Sequence, residues 1–182
     1  MAALLSASCN PVSLPGTPLG TYNVAGALGT NTCGSGLGAP SPWNFTVQMS
    51  EDSSTTPTTL YWLSNDGTQL SSTMSSATQV TITQTVSTNP DAVPPMDAGP
   101  DAPAAVTNGG PGACDLQQNT TLALTLAAGA PPATFSGTMT YTFQSATGVS
   151  SASNCTDQLA ASGGTYNTLP CTASYSLTAS HQ

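Results

Sequence analysis

The sequence predicts an all-β protein: a single antiparallel meander of about eight strands, closed as a barrel or flattened into a sandwich. The first observation behind this is the stretch FSGTMTYTF, where Phe135, Gly137, Met139, Tyr141 and Phe143 alternate with Ser136, Thr138, Thr140 and Thr142. An unbroken period of two marks a strand with one buried and one wet face, and Thr and aromatic residues suit a pleated surface. The second is that the same alternation recurs along the chain between clusters of Gly, Pro, Asn and Asp, which form turns. The third is composition. The chain has no Lys and no Arg, but 30 Thr and 23 Ser, so stability must come from burial, backbone ladders and cross-links rather than ion pairs.

The elements follow in order. Residues 1–19 read as the remains of a signal or anchor followed by a tether, since Pro11, Pro15 and Pro18 fall close together. Residues 20–182 read as one β domain. Its first strand lies near 21–27, with Tyr22 and Val24 inward, and residues 26–42 form a long Gly- and Pro-rich loop carrying Cys33. Trp43, Phe45, Val47 and Met49 alternate through the second strand, 43–50, and residues 51–57 turn the chain. The third strand, 58–63, is apolar on both faces at Leu60, Tyr61, Trp62 and Leu63. Asn65-Asp66-Gly67 is then a hairpin signal, from which 68–74 returns as the fourth strand.

Val80, Ile82, Gln84 and Val86 alternate through the fifth strand, 78–88. Periodicity stops over 89–112, where six prolines and three acids predict an exposed loop with polyproline tendency. Leu122, Leu124 and Leu126 mark the sixth strand. The Phe135 strand is the seventh, and 145–169 form a second long loop with Cys155 and one short helical turn at 156–161. Ala173, Tyr175, Leu177 and Ala179 give the eighth. Three strands after the 89–112 loop bury too little to stand alone, so one domain is expected.

Eight acids and no Lys or Arg set the net charge at −8. A phosphate backbone would meet no cation on this surface, which excludes nucleic acid as a partner and leaves a lipid on Cys9 as the one route to a membrane. Cysteines stand at 9, 33, 114, 155 and 171, with no CxxC and no Cys/His pattern for zinc. No metal or other cofactor is expected. Four of the five suit two disulfides, for which Cys155 with Cys171 and Cys33 with Cys114 is the favoured pairing. The odd one is Cys9. It follows apolar and then small residues, MAALLSAS, as a lipidated cysteine would; the alternatives are a free or disulfide-bonded thiol.

Asp97-Ala98-Gly99-Pro100-Asp101-Ala102-Pro103 resembles the PDAGPDAP-type linkers of myxobacterial and related deltaproteobacterial surface lipoproteins. The resemblance covers about ten residues. It implies the cell surface, outer membrane or periplasm of a Gram-negative bacterium, with Asn10 after Cys9 pointing to the outer membrane, and it implies no activity.

No catalytic signature emerges. The only histidine, His181, is next to last, where chains fray, and a Ser-His-acid triad needs a positioned base. Glu51 and Asp52 are adjacent, and adjacent side chains in a strand point apart. Asp91, Asp97 and Asp101 match no calcium-loop spacing. Trp43, Tyr61 and Trp62 are candidates for a sugar or small-ligand pocket but are more simply core residues. The expected function is a secreted or outer-membrane-anchored, non-enzymatic β module for binding or surface structure. The alternatives are a barrel carrier of a small apolar ligand and a subunit of an extracellular filament. In a meander the long loops and Cys33, Cys114, Cys155 and Cys171 all fall at one end. That end, around 29–42, 89–112 and 145–170, is the expected contact surface for a protein or glycan partner.

Overall fold

The computed structural model describes residues 13–88, 116–145 and 166–182. Eight strands run β1 Thr17–Asn31, β2 Trp43–Asp52, β3 Thr59–Ser64, β4 Gln69–Ser76, β5 Gln79–Thr88, β6 Leu116–Leu126, β7 Thr134–Ser145 and β8 Cys171–His181. Each pairs antiparallel with the next, and β1 pairs with β8, so the meander closes as a barrel. Following the registers once round returns to β1 about ten residues further along it, a stagger that goes with strands tilted roughly 35–45° from the axis. The upper end is where β1 finishes. The turns at 53–58, 77–78 and 127–133 lie at the lower end.

Alternation decides what fills the barrel. Tyr22, Val47, Met49, Leu60, Trp62, Val80, Ile82, Leu122 and Leu177 point inward and are essentially inaccessible to water. Nearly every aromatic ring joins one column along the axis. Tyr22 meets Phe135 at 5.3 Å, Phe135 meets Trp62 at 5.8 Å, Trp62 meets Phe45 at 6.1 Å and Phe45 stacks on Trp43 at 4.4 Å. Trp43 then meets Tyr175, Tyr175 meets Tyr141, Tyr141 meets Phe143 and Phe143 meets Tyr166. Such pairs each add roughly 0.5–1.5 kcal/mol beyond the area they bury. Gly137 makes room on β7, because a Cβ there would collide with the Ala123 carbonyl of β6.

The outward face is Thr, Ser, Asn and Gln. Neutral cross-strand bonds run over it: Thr85 Oγ1 donates to Asn119 Oδ1 at 2.7 Å, and Gln144 Nε2 to Gln117 Oε1 at 2.7 Å. A lipid-spanning barrel has the opposite pattern, an apolar outer band, and the described strands carry none. No helix among the described residues is long and apolar enough to cross a membrane.

Three expectations are corrected. β1 starts at Thr17, inside the segment read as tether, and buries Leu19 at 5% exposure. Pro18 is tolerated there because the ladder slips between Pro18 and Gly20. Residues 26–31, read as loop because of Gly26 and Gly29, continue β1 against β8. The favoured disulfide pairing is also replaced, because Cys33 is bonded to Cys171 with Cα atoms 4.9 Å apart. Closure makes β1 and β8 neighbours, so the Thr32 amide donates to the Thr172 carbonyl at 2.8 Å and brings the two cysteines together. Contact across the closure, rather than the Cys155–Cys171 pairing, decides the partner of Cys171. Cys9, Cys114, Cys155 and the helical turn at 156–161 lie outside the described residues.

Met139→Asp is expected to abolish folding, because it buries an unpaired charge beside Tyr175, while Thr140→Asp on the outward face costs under about 1 kcal/mol. Urea denaturation of both variants checks this, and the reverse order would mean that β7 faces the other way. The double variant Cys33→Ala/Cys171→Ala opens a cross-link spanning 138 residues and is expected to lose roughly 2–5 kcal/mol. A loss under about 1 kcal/mol in the same assay would deny the bridge its structural role.

Candidate functional site at the upper mouth of the barrel

The β3–β4 hairpin is shorter than its neighbours, and the site follows from that. Ser64, the last residue of β3, stands in register with Val47 of β2 and, through it, with Tyr22 of β1, yet β1 runs on to Asn31. The hairpin turns there because the Ser64 amide bonds the Thr68 carbonyl, Asp66 Oδ1 accepts from the Thr68 amide at 2.9 Å, and Gly67 takes φ 88°. β5 is paired with β6 along its whole length. Its ladder with β4, however, is confined to Met74 with Val80 and Ser76 with Gln79. Residues 43–46 of β2 and 81–88 of β5 therefore carry strand pairs on one side only, with one bond from the Asn65 amide to the Thr46 carbonyl between. The lower end of the wall is continuous, and the upper part is notched where β4 parts from β5.

Val86 shows the consequence. It alternates with Val80 and Ile82 and so belongs to the inward face, yet it is 38% exposed, against 1% for each of the other two. Its cross-strand neighbour Gln118 lines a recess of about 250 Å³, together with Leu37, Pro40, Trp43, Tyr141, Phe143 and Tyr175. Three rings form its wall. Trp43 and Tyr175 lie 5.0 Å apart at 57°, Trp43 and Tyr141 6.4 Å apart at 54°, and Tyr141 and Tyr175 6.4 Å apart at 85°. Polar groups come from β6, where Gln118 Nε2 donates to the buried Thr120 hydroxyl at 3.2 Å. The Tyr141 hydroxyl donates to the Met139 sulfur. Burial, then Tyr175, then the Asp66 carboxylate push the Tyr141 phenol well above its ordinary pKa, so it stays a neutral donor. Asp66, on the tip of the short hairpin, thus supplies negative charge to the notch.

Two larger concavities have less chemistry. One of about 670 Å³ is a groove on the outer wall among Asn23, Asn44, Thr46, Thr178 and Ser180. The other, about 660 Å³ at the lower mouth, is lined chiefly by turn residues such as Ala77, Ala127, Ala128 and Gly129 over Leu19, Met74 and Leu126. Small recesses lined by aromatic rings with a few convergent polar groups are the usual form of ligand sites, and the upper one alone of these three has that form.

Cys33 and Cys171 are at the upper end, beside Leu116, Phe143 and Tyr166. Of the aromatic candidates, Trp43 lines the recess, Trp62 is fully buried beneath it, and Tyr61 is half-buried on the outward side of β3. His181 is not frayed. It ends β8 at the lower end, its ring edge-on to Tyr22 at 5.1 Å, its Nε2 3.2 Å from the Leu19 carbonyl and its amide on the Ala133 carbonyl. Gly20, at φ 115°, is glycine because the imidazole occupies the place of a side chain. The Asp52 carboxylate is held below the usual range by the side chain and then the amide of Ser54, which makes it a turn cap. Asp91, Asp97 and Asp101 lie outside the described residues. Among the described residues no three His, Cys, Asp or Glu side chains converge on a point where a metal would sit. Tyr141, Phe143, Tyr175 and Val86 were legible only as inward residues, and Gln118 was not singled out. The signal that marks them out is the unequal length of neighbouring strands. No protein family, curated protein or solved structure matches the chain.

Proposed function

We propose that this chain is a non-enzymatic binding module that works outside the cytoplasm and takes a small ligand in the notched upper half of its barrel. The observation that carries the reading is Val86, an inward residue left exposed beside an aromatic recess. A rigid barrel below and an accessible cup above is how small β-barrels hold ligands in their mouths. The middle of the barrel is filled by Trp62, Phe135 and Tyr22, so a ligand would sit above this plug rather than inside it. The Cys33–Cys171 bridge supports an oxidising compartment. The Ser50 hydroxyl donates to the Pro15 carbonyl at 2.6 Å and fixes the N-terminal segment at the lower end, so an anchor at Cys9 would hold the cup away from the membrane. A filament joined by strand addition would have 81–88 of β5 as its acceptor edge.

The test is titration with N-phenyl-1-naphthylamine, a neutral apolar dye. Saturable 1:1 fluorescence enhancement is expected, lost about tenfold or more in Val86→Glu and in Trp43→Ala with the fold retained by circular dichroism. Absence of saturable binding, or binding that both variants leave unchanged, would overturn the reading.

A further inference from the structure

We infer that the cup is built for an organic ammonium cation, of the quaternary or methylated kind. The inference rests on the small-ligand reading of the same recess and adds the class of ligand. Its first support is the angle between the rings. Trp43, Tyr141 and Tyr175 are mutually inclined at 54°, 57° and 85°, so they wall the recess without forming the parallel platforms that suit a flat group, and Phe45 stacks on Trp43. Centroids 5.0 and 6.4 Å apart allow a group to lie about 5 Å from all three, within the roughly 6 Å over which a cation is attracted to an aromatic ring. A volume of about 250 Å³ is ample for a trimethylammonium head and a short tail.

The second support is charge. The protein has no Lys or Arg to offer an anion, and its net charge is −8. Among the described residues Asp66 is a carboxylate whose charge reaches the Tyr141 ring of the cup, and it is bonded to the Thr68 amide and so is held in position. A cation in the cup would be drawn by this carboxylate as well as by the rings. An anion would meet no Lys or Arg. The recess also has few donors for a sugar, since Gln118 is engaged with Thr120 and the Tyr141 hydroxyl with Met139.

The test compares choline with 3,3-dimethyl-1-butanol, which has the same shape with carbon in place of the charged nitrogen, by isothermal titration at low ionic strength. Choline is expected to bind at least about tenfold more tightly than the alcohol. Trp43→Phe, which keeps a ring for the fold, and Asp66→Asn are each expected to weaken choline by roughly three- to tenfold, and Asp66→Asn to flatten its salt dependence. Equal affinity for the two compounds, no choline binding, or choline binding that neither variant changes would overturn the inference. If the apolar dye still binds the wild-type cup in those cases, the small-ligand reading stands without the cation. If the dye fails as well, both fall.

Discussion

An eight-stranded barrel has an interior just wide enough for side chains to fill, and here the filling is a column of aromatic rings from Tyr22 at the lower end to Tyr166 at the upper. The rest of the structure depends on it. Without Lys or Arg the chain cannot use salt bridges to hold strands together, so burial must carry the fold. Side-chain bonds between its strands are neutral, as in Thr85 with Asn119 and Gln144 with Gln117. The column also explains small residues in odd places. Gly137 lets β6 and β7 approach, and Gly20 yields its side-chain space to His181, whose ring covers the lower end of the column.

Among the described residues, the cup is the part of this column above the break in the β4–β5 ladder. Trp62, Phe135 and Tyr22 are buried within the barrel. Trp43, Tyr141 and Tyr175 sit above the point where the β3–β4 hairpin has turned back, so the rings that would be core become a lining. A barrel with one hairpin several residues short exposes part of its own filling, while the continuous lower half and the Cys33–Cys171 bridge keep the exposed part rigid.

Most of the fold was legible in the sequence because the alternating positions are clean. Trp43, Phe45, Val47 and Met49, or Ala173 through Ala179, leave one choice of inward face, and a shift by one residue would turn every apolar side chain outward. Strand ends were less legible. Gly26 and Gly29 look like loop residues, yet β8 pairs with them, and Pro18 looks like tether, yet it enters a strand at a bulge. The disulfide was misplaced because chain distance says little once β1 and β8 are joined by closure. The site was readable only as a difference in length. Residues 58–63 and 68–74 are short beside 78–88, but a sequence does not say which level of the barrel a hairpin reaches until the registers are known.

The cup depends on the upper wall being open between β4 and β5. Amide hydrogen exchange along β5 tests it directly, because successive amides of a strand point to opposite neighbours. Alternation is expected from Thr81 to Ser87: amides directed at β6 are protected, and those directed at β4 exchange as quickly as loop amides. Equal protection of both sets would mean that the wall is closed, and the cup would not be accessible from the side.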